Sequence, residues 1–190
     1  MAAEMECLVL AKGRYTYSGG AFLELPKSIK ICGQGIGETI LDGFGLKIKG
    51  SKSNGSVVIE DLSIQGGMGN GLRAWSGMDL IVRRCKVEKC QGYGVYADNA
   101  HISCDDVQVV GCGRSGVLAQ NGGTVKLSGE TTRIEGNVTS GRSNRYGLCT
   151  DGSSSKIQIV TPLTKDTISF SNGGGGNWSG RSGTIEQVFA

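Results

Sequence analysis

Three copies of one short pattern decide the fold: 57-VVIEDLSI-64, 80-LIVRRCKV-87 and 102-ISCDDVQV-109. The copies start at Val57, Leu80 and Ile102, and a second shared pattern follows each of them: 71-GLRA-74, 94-GVYA-97 and 116-GVLA-119. Within each copy the apolar residues alternate in short runs, which is the two-residue period of a β-strand and not a helical period. The sequence therefore predicts short strands, separated by bends, that recur with the spacing of the three copies.

A repeat this short cannot bury its own apolar face, so successive units must stack and share one core. Three short strands and three bends per turn of chain are typical of a right-handed parallel β-helix. We therefore predict an all-β fold, a right-handed parallel β-helix (a solenoid) of about seven coils, with a repeat period of about 21–23 residues and two loop insertions. The residues expected to stack inward form six columns: Val57/Leu80/Ile102, Ile59/Val82/Cys104, Leu62/Cys85/Val107, Ile64/Val87/Val109, Leu72/Val95/Val117 and Ala74/Ala97/Ala119.

The rest of the chain extends the repeat in both directions. Two insertions, at residues 50–55 and 137–145, lengthen the spacing between equivalent positions, which are Ile29 and Val57 for the first and Gly116 and Gly147 for the second. We predict a single β-helix domain over residues 1–190, with coils over 6–170, a glycine-rich linker at 171–183 and a C-terminal cap at 184–190 that folds over the last coil. We expect the N-terminal end to be the less protected of the two.

Composition and charge narrow the classes of function. The net charge is +3 and there is no run of Lys or Arg, so we expect no nucleic-acid partner. No stretch approaches the length of a membrane span, and the first residues lack the cationic start of a signal peptide, so we expect no membrane partner. Several of the seven cysteines fall at inward positions, where a reduced thiol behaves as a small apolar group. We therefore expect free thiols and a cytoplasmic or otherwise intracellular protein.

Two stretches near the N-terminus, 8-LVLAKGRY-15 and 29-IKICGQGIGETILDG-43, resemble the opening coils of pectin-lyase-like right-handed parallel β-helix proteins. The later units are similar to the generic parallel β-helix repeats of that family. The resemblance covers nearly the whole chain and implies the fold. The family includes pectate lyases, polygalacturonases, alginate epimerases, phage tailspikes and non-catalytic repeat domains, so the resemblance leaves the function open.

The catalytic motifs of that family are incomplete in this sequence. A polygalacturonase would combine Asp-Asp with Gly-His-Gly and Arg-x-Lys, but His101, the one histidine, is not flanked by glycines. The Asp-Pro-His-Asp motif of alginate epimerases is also absent. The calcium ligands of a pectate lyase would need acids on one outer strand, and the outward row of the Gly-x-x-Ala strand contains none: Lys47, Arg73, Tyr96, Leu118 and Cys149. We expect no metal site and no cofactor, with calcium binding only if the protein is an enzyme after all.

Three successive coils carry charged pairs at the same bend: Glu60-Asp61, then Arg83-Arg84, then Asp105-Asp106. One interpretation is a structural ladder in which the arginines relieve repulsion between the carboxylates, since a network contributes more than isolated exposed pairs. The other interpretation takes the two later pairs as catalytic or calcium-binding groups, as the resemblance to polysaccharide-cleaving enzymes implies. We favour the ladder and keep four catalytic candidates: Arg83, Arg84, Asp105 and Asp106.

The outward row of the Gly-x-x-Ala strand can also form a binding surface. Positions two residues further along the same strands form a second row, and two tyrosines precede glycines of the pattern. A flat face with aromatic and mixed charged side chains suits an extended polymer or peptide; the alternative is ordinary solvated surface. The residues predicted to bind a ligand are Lys47, Arg73, Trp75, Tyr93, Tyr96, Asp98 and Tyr146.

These observations predict a non-catalytic β-helix module that binds a polysaccharide (glycan) or protein partner along its lateral face, as part of a larger protein or assembly. The alternative is a polysaccharide lyase, hydrolase or epimerase with an unrecognised carboxylate and arginine site. A third hypothesis is a structural rod that associates with itself end to end.

Overall fold

The structure is a computed structural model that describes residues 5–25, 28–50 and 55–189. The described strands form three parallel sheets, of eight, seven and seven strands, with one short helix. Each turn of the chain contributes one strand to the first, then the second, then the third sheet. The predicted all-β right-handed parallel β-helix is confirmed, because seven complete coils and the first strand of an eighth lie within the described residues.

The elements follow the coils in chain order. The first three coils consist of β1 (Glu6–Val9), β2 (Gly13–Thr16), β3 (Phe22–Leu25), β4 (Ile29–Cys32), β5 (Thr39–Asp42), β6 (Gly45–Lys49), β7 (Ser56–Glu60), β8 (Ser63–Gln65) and β9 (Leu72–Trp75). The next three consist of β10 (Asp79–Arg83), β11 (Lys86–Glu88), β12 (Val95–Asp98), β13 (His101–Asp105), β14 (Gln108–Val110), β15 (Val117–Gln120), β16 (Thr124–Ser128), β17 (Arg133–Glu135) and β18 (Leu148–Asp151). The remainder consists of β19 (Lys156–Val160), α1 (Lys165–Ile168), β20 (Ser169–Phe170), β21 (Trp178–Gly180) and β22 (Thr184–Val188). Every third strand belongs to one sheet, counting from β1, β2 or β3.

The six inward columns predicted from the repeat form the core. Leu80 is paired with Val57 on one side and with Ile102 on the other. Val95 lies between Leu72 and Val117 in the same way. Every residue of the six columns is buried, with at most 2 % of its surface exposed. Each coil therefore covers the apolar ring of the coil before it, and the core continues along the axis.

Charged and polar residues turn the corners between sheets. Asp61, Arg84 and Asp106 share one corner, with φ of 57°, 49° and 54°. Asn99 and Asn121 share another, with φ of 49° and 54°. Left-handed backbone is costly for most side chains and more easily tolerated by Asn and Asp. The second residue of each charged pair thus lies at the bend that the repeat predicts.

The C-terminal segment differs from the predicted linker and cap. Residues 171–177 form a tight corner in which Gly174 has φ of 62°, and an added Cβ there would lie 2.4 Å from the carbonyl oxygen of Arg142. β21 then joins the third sheet and β22 joins the first, with Ile185 paired to Ile157. Because Ile185 points into the same apolar column as Ile157, residues 184–188 continue the solenoid and do not fold across its end.

Of the two predicted insertions, only the second lies fully within the described residues. Residues 51–54 of the first lie outside the described residues. The second packs against the outer face of the third sheet, where Tyr146 contacts an apolar cluster.

All seven cysteines are free thiols. Over the described part of the chain, no helix is long and apolar enough to span a membrane.

Candidate ligand-binding face

The outer face of the third sheet presents two parallel rows of side chains. In the first row, Lys47 on β6 is paired with Arg73 on β9, which is paired with Tyr96 on β12. Alternate residues of a strand point to the same face, so positions two residues further along form a second row beside it. The second row consists of Lys49, Trp75, Asp98, Gln120 and Asp151.

Three cations surround Trp75. The Nζ atoms of Lys47 and Lys49 lie 5.5 and 5.8 Å from the centre of its ring. The Cζ atom of Arg73 lies 4.6 Å from the same centre. A cation within about 6 Å of an aromatic face is attracted by the quadrupole of the ring. The indole therefore fixes three positive charges close together on one face of the solenoid.

The contacts continue along the sheet beyond the indole. Arg73 also lies 4.9 Å from the ring of Tyr96, whose ring centre is 5.2 Å from that of Tyr93. Arg114 and Arg145 lie 5.4 and 5.3 Å from the Tyr93 ring. We call this continuous series the cation–aromatic row. Its members are Lys47, Lys49, Trp75, Arg73, Tyr96, Tyr93, Arg114 and Arg145.

Hydrogen bonds to Asp98 hold the middle of the row in place. Nη2 of Arg73 donates to Asp98 at 2.8 Å, and the Tyr96 hydroxyl lies 3.1 Å from the same carboxylate oxygen. Nδ2 of Asn121 donates to the other oxygen at 2.8 Å, and Oε1 of Gln120 is 2.8 Å from the Tyr96 hydroxyl. Burial raises the pKa of Tyr96, and the charge of Asp98 raises it further, so the phenol stays neutral. Asp98 is therefore a positioning residue for the row.

Three of the residues predicted to contact a ligand lie beneath the surface. Tyr93, Tyr96 and Asp98 are only 7, 8 and 7 % exposed, which corrects the prediction that they are open to a ligand. The cause is a second apolar cluster outside the solenoid, which Tyr146, directly after the second insertion, helps to cover. Its members are Tyr93, Tyr96, Leu118, Cys149 and Tyr146. The members of the row that could contact a ligand directly are therefore those around this cluster: Lys47, Lys49, Arg73, Trp75, Arg114 and Arg145.

The accessible part of the row is positively charged. Lys47 is ion-paired with Glu24 at 2.6 Å, and Arg73 is paired with Asp98. The other three cations form no ion pair with any residue in the described ranges: Lys49, Arg114 and Arg145. The face therefore carries more positive than negative charge, although the whole chain is close to balanced at +3.

Three members of the row were not recognised in the sequence. Lys49 could have been found from the register alone, because it precedes Trp75 in the second row. Arg114 and Arg145 both stand two residues before a glycine of the repeat pattern, Gly116 and Gly147, so the spacing alone could have paired them. Their approach to Tyr93 depends on how the insertion packs, which the repeat pattern does not encode.

The charged bends form half of the predicted ladder. Arg84 makes a two-pronged contact to Asp61 at 2.7 and 2.8 Å, and Arg83 donates to Glu60 at 2.7 Å. Burial opposes ionisation of Glu60, but Arg83 and Lys30 outweigh it and hold the pKa of that carboxyl below its usual value. Hydrogen bonding from Arg84 likewise lowers the pKa of Asp61. These two acids are therefore held ionised by structural ion pairs.

The later acids bind hydroxyl groups instead of arginines. Ser128 donates to Asp105 at 2.8 Å, and Asp106 accepts from the backbone N–H and the hydroxyl of Thr131 at 2.9 and 3.0 Å. Arg83 and Asp105 are paired in the register of the first sheet and line a groove of about 320 Å³. No ion pair joins the arginine pair to these two acids in the part of the chain that is described. The four catalytic candidates thus lie where the strands of the first sheet end and the chain turns, but they do not form one cluster.

Candidate metal-ligating side chains lie apart from one another in the described part of the chain. Among residues 5–25, 28–50 and 55–189, no three His, Cys, Asp or Glu side chains are placed to hold an ion together. The acids of the bends accept hydrogen bonds from arginine, serine and threonine side chains.

Comparison with known proteins gives one family and one structural likeness. The family model described as a right-handed beta helix region matches residues 36–162, which is more than half of the chain. No curated protein matches. Among solved structures, the A-module of mannuronan C-5 epimerase AlgE4 from Azotobacter vinelandii is similar at 12% identity with a TM-score of 0.32, over 97% of this chain and 92% of that chain.

Proposed function

The chain belongs to the right-handed β-helix family, and on that premise we propose that it is a non-catalytic module that binds an extended anionic glycan along the cation–aromatic row. One observation carries the proposal. Three cations lie around Trp75, two more flank Tyr93, and the two groups are joined by Arg73, which lies over both Trp75 and Tyr96, and by the contact of Tyr96 with Tyr93.

The geometry of the row suits a linear chain of charged sugars. Neighbouring strands of a sheet lie about 4.8 Å apart, so Lys47 and Arg73, which are paired on successive coils, lie about one strand spacing apart along the solenoid axis. Arg and Lys both bind carboxylate or sulfate groups, and the planar guanidinium can do so through two hydrogen bonds. Trp75 is partly exposed and offers apolar surface to the faces of sugar rings. A neutral glycan would leave Lys49, Arg114 and Arg145 without anionic partners.

The acids of this protein support binding over catalysis. A general acid at neutral pH needs a raised pKa, whereas the pKa values of Glu60 and Asp61 are lowered by their arginine partners. The enzyme alternative would therefore rely on Asp105 and Asp106, which accept hydrogen bonds from hydroxyl groups. We expect no release of unsaturated or reducing ends from polygalacturonate or alginate. Release that is lost in Asp105→Asn would favour the enzyme alternative.

Calorimetric titration with polygalacturonate tests the binding proposal. The double variant Lys49→Ala/Arg114→Ala removes two cations that lack acidic partners among the described residues, and we expect affinity to fall by roughly 5- to 30-fold, since each such ion pair contributes on the order of 0.5–1 kcal/mol. Binding should also weaken as salt is added, because exposed charges are screened.

Two controls match this experiment. Lys156→Ala/Arg133→Ala removes the same charges from the first and second sheets, where each has an acidic partner at 3.9 Å, and should leave affinity unchanged. Fully methyl-esterified polygalacturonate keeps the polymer backbone without its charge and should not bind. Equal losses in the two double variants would show that only net charge matters, and would contradict a site on the third sheet.

A further inference from the structure

Two arginines of the cation–aromatic row occupy equivalent places in successive coils. Arg114 and Arg145 each stand two residues before a glycine of the repeat. The strands that follow are in register, because Val117 is paired with Leu148 and its N–H donates to the carbonyl oxygen of Gly147 at 2.8 Å. Neighbouring strands lie about 4.8 Å apart. The two arginine side chains therefore leave the solenoid next to each other.

The ring of Tyr93 brings the two guanidinium groups together. Their Cζ atoms lie 5.4 and 5.3 Å from the centre of that ring. The backbone is fixed at both positions, since the carbonyl oxygen of Arg114 accepts from the N–H of Val138 at 3.0 Å and that of Arg145 accepts from the N–H of Gly175 at 2.8 Å. Two side chains that start from fixed backbone and converge on one ring are pre-organised for a shared ligand.

The protein supplies no acid for this arginine pair. Within the described ranges, neither Arg114 nor Arg145 forms an ion pair. Nε of Arg145 is buried and has no hydrogen-bond partner among those residues. Of the acids in the second row of this face, Asp98 is paired with Arg73, and Asp151 is paired with neither arginine. Like charges on neighbouring strands repel, so an anion bound between the two arginines would remove a repulsion that the protein leaves in place.

We propose that Arg114 and Arg145 form a subsite for a tetrahedral oxyanion ester, a sulfate or phosphate group carried by the bound glycan. This inference rests on the proposed function and names the anionic group that the row selects. A planar carboxylate is matched by one planar guanidinium through two parallel hydrogen bonds, so one arginine is enough for it. A sulfate or phosphate ester has three terminal oxygens that point in different directions, and it can accept from two guanidinium groups at once.

The group around Trp75 has no comparable pair. Two of its three cations are lysines, Lys47 and Lys49, and an ammonium is a compact point charge without the fork geometry of a guanidinium. The third is Arg73, whose Nη2 already donates to Asp98 at 2.8 Å. The attraction at this group is therefore general for anions, and the choice between kinds of anion belongs to the arginine pair.

Three derivatives of one neutral polymer test the subsite: dextran sulfate, dextran phosphate and carboxymethyl-dextran, matched in length and in total charge. In calorimetric titrations at one salt concentration, we expect the sulfate or the phosphate to bind about tenfold more tightly than the carboxymethyl derivative, because a second guanidinium adds charge-assisted hydrogen bonds. The tighter of the two identifies the ester. Equal affinity for all three polymers would contradict the subsite and leave the proposed function standing, whereas no binding of any of them would contradict both.

Lysine substitutions locate the selectivity. Arg114→Lys/Arg145→Lys keeps both charges but removes both forks, so the ratio of ester to carboxymethyl affinity should fall to about one. Arg114→Lys alone should also lower the ratio, which provides a test if the double variant folds poorly. Arg142→Lys makes the same change at an exposed position of the second insertion and should leave the ratio unchanged. A ratio that survives in the double variant, or that falls equally in Arg142→Lys, would place the selectivity outside the arginine pair and contradict the inference.

Discussion

Val95→Asp should leave the chain unfolded at 25 °C. Val95 is completely buried, and its column neighbours Leu72 and Val117 cover it from the coils on either side. An unpaired carboxylate at that position has no hydrogen-bond partner and no water, and its burial costs several kcal/mol. That cost is comparable with the whole stability of a typical domain, which is about 5–15 kcal/mol.

Arg84→Ala is the comparison for this substitution. Arg84 is half exposed at an outer corner, where it contacts Asp61, and exposed ion pairs contribute about 1 kcal/mol or less. Circular dichroism and urea unfolding of both variants measure the difference. A larger loss of stability for Arg84→Ala than for Val95→Asp would reverse the assignment of inside and outside in every coil.

Gly94→Ala should be strongly destabilising. An added Cβ would lie 2.2 Å from Cγ1 of Val109 and 2.7 Å from the carbonyl oxygen of Gly116. The first contact is with a β-branched side chain that is fully buried, and the second is with the backbone of the next coil, so neither can move away freely. Overpacking of this kind costs about 3 kcal/mol.

Gly136→Ala provides the matched control for the added methyl group. Gly136 has φ of 61° and nothing within 4 Å of an added Cβ, so alanine there meets only the backbone cost of about 1–2 kcal/mol. The free energy of unfolding, measured in urea, should therefore be lower for Gly94→Ala than for Gly136→Ala. The opposite order would mean that successive coils are packed less closely at the Gly-x-x-Ala strand than the structure shows.

The stack of coils could be predicted because each unit carries apolar residues at the same positions and must bury them in the same way. A column such as Val57, Leu80 and Ile102 needs no knowledge of distant parts of the chain, since its members recur at the period of the coil. The outward rows followed from the same register, which is why Lys47, Arg73, Trp75, Tyr96 and Asp98 lie together as predicted. Parallel stacking converts sequence spacing directly into contact.

Features outside the repeat could not be predicted in this way. Leu118 and Cys149 follow Tyr96 in an outward row, and these apolar residues were the one sign that something covers the sheet there. What covers them is Tyr146 at the end of the second insertion, and the path of that insertion, which has no counterpart in the neighbouring coils, is set by tertiary contacts. The burial of Tyr93 and Tyr96 followed from the same contacts, so the predicted face proved less exposed than a flat sheet.

The glycine-rich segment was misjudged for a different reason. Four consecutive glycines suggested a flexible linker, but Gly173 and Gly175 donate to the carbonyl oxygens of Asn137 and Arg145, which fixes the corner beside the second insertion. Glycine content indicates which backbone conformations are open to a segment and not whether the segment is held in one of them.

The most direct test of the central claim is to locate the glycan on the protein. Oligogalacturonate in which about one carboxylate per chain is activated as a succinimidyl ester, while the others stay charged, forms an amide bond with a lysine amine at the point of contact, and peptide mass spectrometry identifies that lysine. Exposure alone would favour Lys12 and Lys156, whose side chains are 69 and 49 % exposed, over Lys47 at 19 %. Binding on the cation–aromatic row predicts the reverse order, with Lys47 and Lys49 labelled first and free oligogalacturonate competing for them. Labelling that follows exposure, with no protection by the competitor, would contradict a binding site on the third sheet.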